Sequence, residues 1–268
     1  MVGQDNLDEL GRVLEALEPF LNRLLIVGGW AHRLYRFDDV AIPDYEPIFT
    51  TDTDIALPDD HGAQDNVILD RLRERGFVEE FLGEDRPPVT HYHLGDPRSA
   101  FYVEFLTPQG PRRRRERTDT AIIGGVVAQT LPDLEILLIA PVSIRVSDAQ
   151  GQKQYDVQVP NPVSYLVQKL VIMADRSIKD RAKDILYVHD TIELYGARLG
   201  ELAQTWQEVV RPAMGAAADD IRRLAAKYFG RVTDDIRRGA RVSGARELAP
   251  EELQIRCELG LEQILGGQ

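Results

Sequence analysis

Two stretches decide how this chain is read: Leu24-Leu25-Ile26-Val27-Gly28-Gly29-Trp30-Ala31 and Thr50-Thr51-Asp52-Thr53-Asp54-Ile55-Ala56-Leu57. In the first, a continuous apolar run stops at paired glycines and passes into a helical pattern through Phe37, as a buried strand does when it ends in a sharp turn into a helix. In the second, residues two apart on a strand face the same way, so Asp52 and Asp54 present two carboxylates side by side. Such a pair repels itself unless a cation is bound, and oxygen-only donors suit Mg²⁺ or Mn²⁺. A strand end with two solvated aspartates is the other reading of the same letters. Gly28-Gly29 also reads two ways: as bare backbone N–H groups at a helix start, which can hold a phosphate chain, or as close packing of strand on helix.

Upstream, Leu7, Leu10, Val13, Leu14, Leu17 and Leu21 form one apolar stripe, which predicts a helix over 5–24. Downstream, Ile48–Leu57 reads as a strand, 63–75 as a helix closed by Gly76, and 89–94, 101–106, 120–129, 135–146 and 154–159 as further strands. From Asn161-Pro162 the texture changes, with helical spacing over 163–175, 179–198, 200–228, 231–241 and 250–265. The expected architecture is α+β, a mixed-sheet domain over 1–160 followed by a helical bundle domain over 161–268, with a cleft between them.

The segment Phe101-Tyr102-Val103-Glu104-Phe105-Leu106 carries one charge, Glu104, which needs a partner in such apolar surroundings. An ion pair would satisfy it. Beside Asp52 and Asp54 it would instead be the third carboxylate of a two-metal site for in-line phosphoryl displacement. No G-x-x-x-x-G-K-[ST] and no G-x-G-x-x-G accompanies the glycine turn, which disfavours Walker ATPases and Rossmann dehydrogenases.

Taken together, Gly28-Gly29-Trp30-Ala31, Thr50, Asp52-Thr53-Asp54 and Glu104 resemble the defining motif of the nucleotidyltransferase superfamily with the DNA polymerase β-type fold, most closely the bacterial branch of AbiEii-type toxins and small nucleotidyltransferases. The likeness runs on through Asn161–Leu170 into Arg181-Ala182-Lys183-Asp184, which looks like that family's Lys-containing helix and the charged helix after it. The resemblance implies transfer of NMP from an NTP co-substrate to an acceptor hydroxyl on RNA, protein or a small molecule, with Mg²⁺ or Mn²⁺ as cofactor. It implies catalytic and metal-binding roles for Asp52, Asp54 and Glu104, and nucleotide contacts for Gly28, Gly29, Trp30, Thr50, Lys169, Arg181 and Asp184. It also implies a possible antitoxin protein as partner. Two departures stand out, Trp30 in place of a smaller residue and Ile48 where relatives carry a basic one. A non-catalytic nucleotide- or partner-binding module of the same fold, or an antibiotic adenylyltransferase, are the alternative functions.

Composition bounds these readings. The 268 residues carry 32 Lys+Arg against 44 Asp+Glu, a net charge of −12, which opposes broad nucleic-acid binding but not one nucleotide in one site. With 43% hydrophobic residues a core can form. The lone Cys257 cannot form an internal disulfide and reads as an inert helix residue. The first residues lack a signal-peptide pattern and no apolar run approaches the roughly 18 residues of a membrane span, so a cytoplasmic location without membrane contact is expected.

Other polar features are read conservatively. His91 and His93 alternate like two ligands on one strand face, but without a third histidine at ligand spacing they read as polar residues of an exposed strand. His32 reads as a surface residue, and His189-Asp190 as a solvated pair or a site fringe. The run Arg112-Arg113-Arg114-Arg115-Glu116-Arg117 reads as a solvated loop that an acidic acceptor such as an RNA end could reach.

Overall fold

A computed structural model describes residues 5–38, 41, 48, 50, 52–58, 67–83, 89–95, 101–110, 119–148, 151–242 and 246–266. The arginine run at 112–117 and the first residues of the helix expected over 63–75 lie outside them. The chain divides into two units, Met1–Phe37 with Phe49–Pro160, and Asp38–Ile48 with Asn161–Gln268.

The first unit is built on a seven-stranded mixed sheet of β1 (Leu25–Val27), β2 (Asp52–Ala56), β3 (Phe77–Leu82), β4 (Val89–Leu94), β5 (Tyr102–Pro108), β6 (Thr120–Ile123) and β7 (Val126–Leu131). Its order is β1-β2-β5-β4-β3, with β7 pairing the later part of β5 and β6 pairing β7. The β2–β5 and β5–β7 pairs are parallel and the others antiparallel. The strands β8 (Val142–Ser147) and β9 (Gln154–Val159) form a separate antiparallel hairpin.

Period-two burial gives the sheet its two faces. Thr53, Ile55, Val103 and Phe105 are buried, while Asp52, Asp54, Tyr102 and Glu104 alternate with them on the more open face. Helices α1 (Asp5–Leu17), α2 (Gly28–Leu34) and α3 (Val67–Glu74) complete the unit, and the core takes Leu10, Val13, Leu14 and Leu17 from α1 and Trp30, Ala31 and Leu34 from α2. Each leucine or valine among them is worth about 1.5–3 kcal/mol when fully buried.

Helices dominate the second unit: α4 (Pro162–Ile172), α5 (Ile178–Leu194), α6 (Leu199–Thr205), α7 (Ile221–Phe229), α8 (Asp234–Val242) and α9 (Pro250–Leu265). Asn161 caps α4, its Oδ1 accepting from the Ser164 N–H at 2.9 Å, and Pro162 stands in the first turn, where its missing N–H costs nothing. Asp38 joins this unit because its Oδ2 accepts the Tyr195 hydroxyl proton at 2.8 Å. Among the described residues no helix is long and apolar enough to cross a membrane.

Several local expectations change. The first helix stops at Leu17, and a 3-10 turn over Glu18–Phe20 follows with Pro19 in its first turn, where a residue without N–H is tolerated. The strand expected over 135–146 begins only at Val142; Asp133 at φ 61° turns the chain into a 3-10 helix over Leu134–Leu138. The single helix expected over 200–228 is interrupted, with a wide π turn at Trp206–Val210 ahead of Pro212, a short α-helical turn at Arg211–Met214, and Gly215 at φ 58°. Pro212 has no N–H to donate back along the helix, and Gly215 takes up the turn that follows.

Candidate functional site

The parallel pairing of β2 with β5 sets Asp52 opposite Tyr102 and Asp54 opposite Glu104. Neighbouring strands lie about 4.7–4.9 Å apart, so the Asp54 and Glu104 carboxylates leave the same face from adjacent backbones. The register is locked beyond the strand end, where the Leu57 N–H donates to Leu106 O at 2.7 Å and the buried Thr107 hydroxyl donates to Leu57 O at 2.9 Å. Tyr102 reports the convergence electrostatically. Burial holds its phenol well above the ordinary range, and Asp52, Glu104 and Asp54 raise it further.

The glycine turn meets the same carboxylates. Gly28 follows β1 at φ 63°, and a Cβ built on it would collide with the Asp54 carboxylate. β1 pairs antiparallel with β2, with Val27 opposite Asp54, which is why the turn closes over that residue. Thr50 is also drawn in, its hydroxyl donating to Asp52 Oδ1. Gly29 follows Gly28 within the first turn of α2. Trp30 does not line an opening. Its ring is fully buried with the Arg33 guanidinium 4.6 Å from its centroid, so packing rather than ligand contact is what its place supports.

On the far side of Glu104 the same face continues into β4 and β3. Glu104 Oε1 pairs with His91 Nε2 at 2.8 Å, and Glu80 Oε2 pairs with His93 Nε2 at 2.9 Å. The His91 ring stacks on Tyr102 with centroids 4.0 Å apart. Ligand atoms of Glu80, His91 and His93 lie within 4.8 Å of one another, a spacing compatible with a metal ion. The histidines are therefore not polar residues of an exposed strand: His93 is 4% exposed and both rings are engaged. Sequence spacing showed the alternation of the two histidines but not Glu80, which reaches them only through the β3–β4 register, Glu80 opposite His91. His32, expected at the surface, is fully buried with its ring edge-on to Tyr35.

In the second unit, Lys169 and Asp184 are brought together. Lys169 Nζ pairs with Asp184 Oδ1 at 2.9 Å with both side chains buried, and the ammonium lies 5.3 Å from the ring centroids of both Tyr165 and Tyr187. Arg176 Nε approaches the other Asp184 oxygen at 3.3 Å. Arg181 is held elsewhere, bonding Asp235 Oδ2 at 3.0 Å and the Arg176 carbonyl at 3.2 Å. Asp190 is not solvated but buried, joined to His189 Nδ1 at 2.9 Å and gripped by both guanidinium arms of Arg246 at 3.1 and 2.9 Å.

A family model described as nucleotidyltransferase matches residues 7–211, about three quarters of the chain. The chain belongs to this nucleotidyltransferase family. No curated protein and no solved structure matched the chain.

Proposed function

We propose that this protein transfers a nucleoside monophosphate from an NTP to an acceptor hydroxyl, with Asp52, Asp54 and Glu104 holding divalent Mg²⁺ or Mn²⁺. The observation that carries the proposal is the pairing of Asp54 with Glu104 on adjacent parallel strands, with Asp52 on the same face. These oxygen-only donors suit a hard cation, and Thr50 steadies one of them by donating to Asp52. When bound, the cation would offset charge on the triphosphate and lower the pKa of the attacking hydroxyl. In the reaction a bond forms between the acceptor oxygen and the α-phosphorus, the bond from the α-phosphorus to the pyrophosphate oxygen breaks, and the hydroxyl proton passes to Glu104. Gly28 and Gly29 would hold the triphosphate through backbone N–H groups at the start of α2, with the Asp54 carboxylate set directly against Gly28.

Lys169 and Asp184 serve the stability of the second unit, since Lys169 Nζ is the buried ion-pair partner of Asp184 Oδ1 inside it. The likeness of the glycine turn and D-x-D strand to AbiEii-type proteins supports a finer reading, a toxin of a toxin–antitoxin or phage-defence system acting in the cytoplasm. Calorimetry with NTP and Mg²⁺, run beside a turnover assay, tests the proposal. Binding with pyrophosphate release is expected, whereas binding without turnover over RNA, protein and small-molecule acceptors would replace it with a non-catalytic nucleotide-binding module.

A further inference from the structure

The carboxylate face does not end at Glu104, and its continuation has different chemistry. Glu80, His91 and His93 offer one carboxylate and two imidazoles from adjacent antiparallel strands, with ligand atoms within 4.8 Å of one another. In a tetrahedral site with bonds of about 2.0–2.2 Å the donors stand roughly 3.5 Å apart, so side-chain adjustment of about 1 Å would close this set on an ion.

Two further observations point the same way. Both rings are held in place, His91 by the stack on Tyr102 at 4.0 Å and by Glu104 at 2.8 Å, and His93 by Glu80 at 2.9 Å. His93 is 4% exposed, and its Nδ1 has no hydrogen-bond partner among the described residues, an uncommon state for a buried ring nitrogen. A metal-binding histidine characteristically uses its second nitrogen on a carboxylate, and the His91–Glu104 contact has that form.

We propose that Glu80, His91 and His93 form a second metal site, distinct from the aspartates and selective for a borderline transition-metal ion of the zinc class. Ligand type separates the two sites. Imidazole favours zinc-like ions, whereas Asp52 and Asp54 offer only hard oxygens. Three protein donors leave a fourth position open to water or to an acceptor oxygen. Because His91 also holds Glu104, an ion here fixes the orientation of a carboxylate used in the proposed reaction; that consequence, unlike the binding itself, rests on the proposed function.

The test is a titration of the full chain, freed of metal by chelation, with Co²⁺ alone, followed by its visible ligand-field absorption and then by displacement with Zn²⁺. One equivalent is expected to bind, His93→Gln and Glu80→Gln are expected to weaken binding at least about tenfold, and Asp52→Asn/Asp54→Asn is expected to keep it. Thermal melts check folding, and if His93→Gln does not fold, Glu80→Gln, whose side chain is 42% exposed, decides alone. Absence of Co²⁺ absorption in the wild type, unchanged affinity in a folded ligand variant, or loss of binding with the aspartates alone would each overturn the site. Co²⁺ binding without nucleotidyl transfer leaves this site standing while the proposed function falls, and transfer without Co²⁺ binding does the reverse.

Discussion

The Gly28 backbone, at φ 63°, lies so close to the Asp54 carboxylate that no side chain fits between them. This explains why a glycine stands at that turn in physical terms: it permits the positive φ, and it leaves the space that Asp54 occupies. Gly28→Ala is therefore expected to destabilise the fold by about 1–3 kcal/mol and to displace Asp54, with nucleotidyl transfer falling further than stability does. Gly76 is the control. It sits at φ 84° with nothing within 4 Å of an added Cβ, so Gly76→Ala should cost only backbone strain, about 1 kcal/mol, and leave transfer intact. Chemical denaturation and label transfer on both variants check this.

The Lys169–Asp184 pair is buried, so breaking it from one side strands a charge. Lys169→Met or Asp184→Leu should each cost about 3–5 kcal/mol, and the Lys169→Met/Asp184→Leu double variant much less than their sum. Turnover per folded molecule should stay within a few-fold of wild type. A large loss of turnover at unchanged stability would instead give Lys169 a phosphate contact.

Asp190 and Arg246 make a pH-dependent prediction. Burial pushes the Asp190 carboxyl up to about 6, with His189 acting against it. A carboxyl whose pKa is higher in the folded state contributes stability that is full below the unfolded value near 4 and is lost as pH rises through the folded value. At pH 8 loss of Arg246 leaves the buried Asp190 charge without its bidentate partner, whereas near pH 5 the carboxyl can take up a proton instead. Arg246→Met should thus be destabilised more at pH 8 than at pH 5, and denaturant midpoints at the two pH values measure the difference.

Cys257 is fully buried in α9, and burial holds its thiol well above the ordinary range, with Asp190 and Glu193 adding to the effect. It should resist thiol reagents in the native protein and react only on unfolding. Rapid labelling of the native chain under conditions that keep it folded would contradict this.

Much of the fold is legible in local pattern. The alternation in Asp52–Ala56 and Tyr102–Pro108 marks both central strands, Asn161-Pro162 announces the start of α4, and Pro250–Leu265 reads directly as a helix. What fails is whatever depends on partners distant in sequence. Leu134–Leu138 is apolar enough for a strand, and only the backbone turn at Asp133 makes it a 3-10 helix. Local spacing could not show that His32 is enclosed by the core of its unit, nor that Glu80 faces His91 across a hairpin. The pairing of Asp54 with Glu104 lies between these cases. Each strand is visible alone, but their parallel register is set by tertiary contacts such as the Thr107 hydroxyl on Leu57 O.

The most direct test of the central claim follows label from NTP, carried on the α- or the γ-phosphate, into RNA, protein and small-molecule hydroxyls, with pyrophosphate release to water as the acceptor-independent readout. The wild type should transfer the α-label and not the γ-label in a Mg²⁺-dependent reaction. Asp52→Asn and Asp54→Asn should each lower the rate at least about a hundredfold without lowering the melting temperature. Transfer of the γ-label, or α-label transfer that survives both substitutions, would contradict the assignment of the carboxylate face.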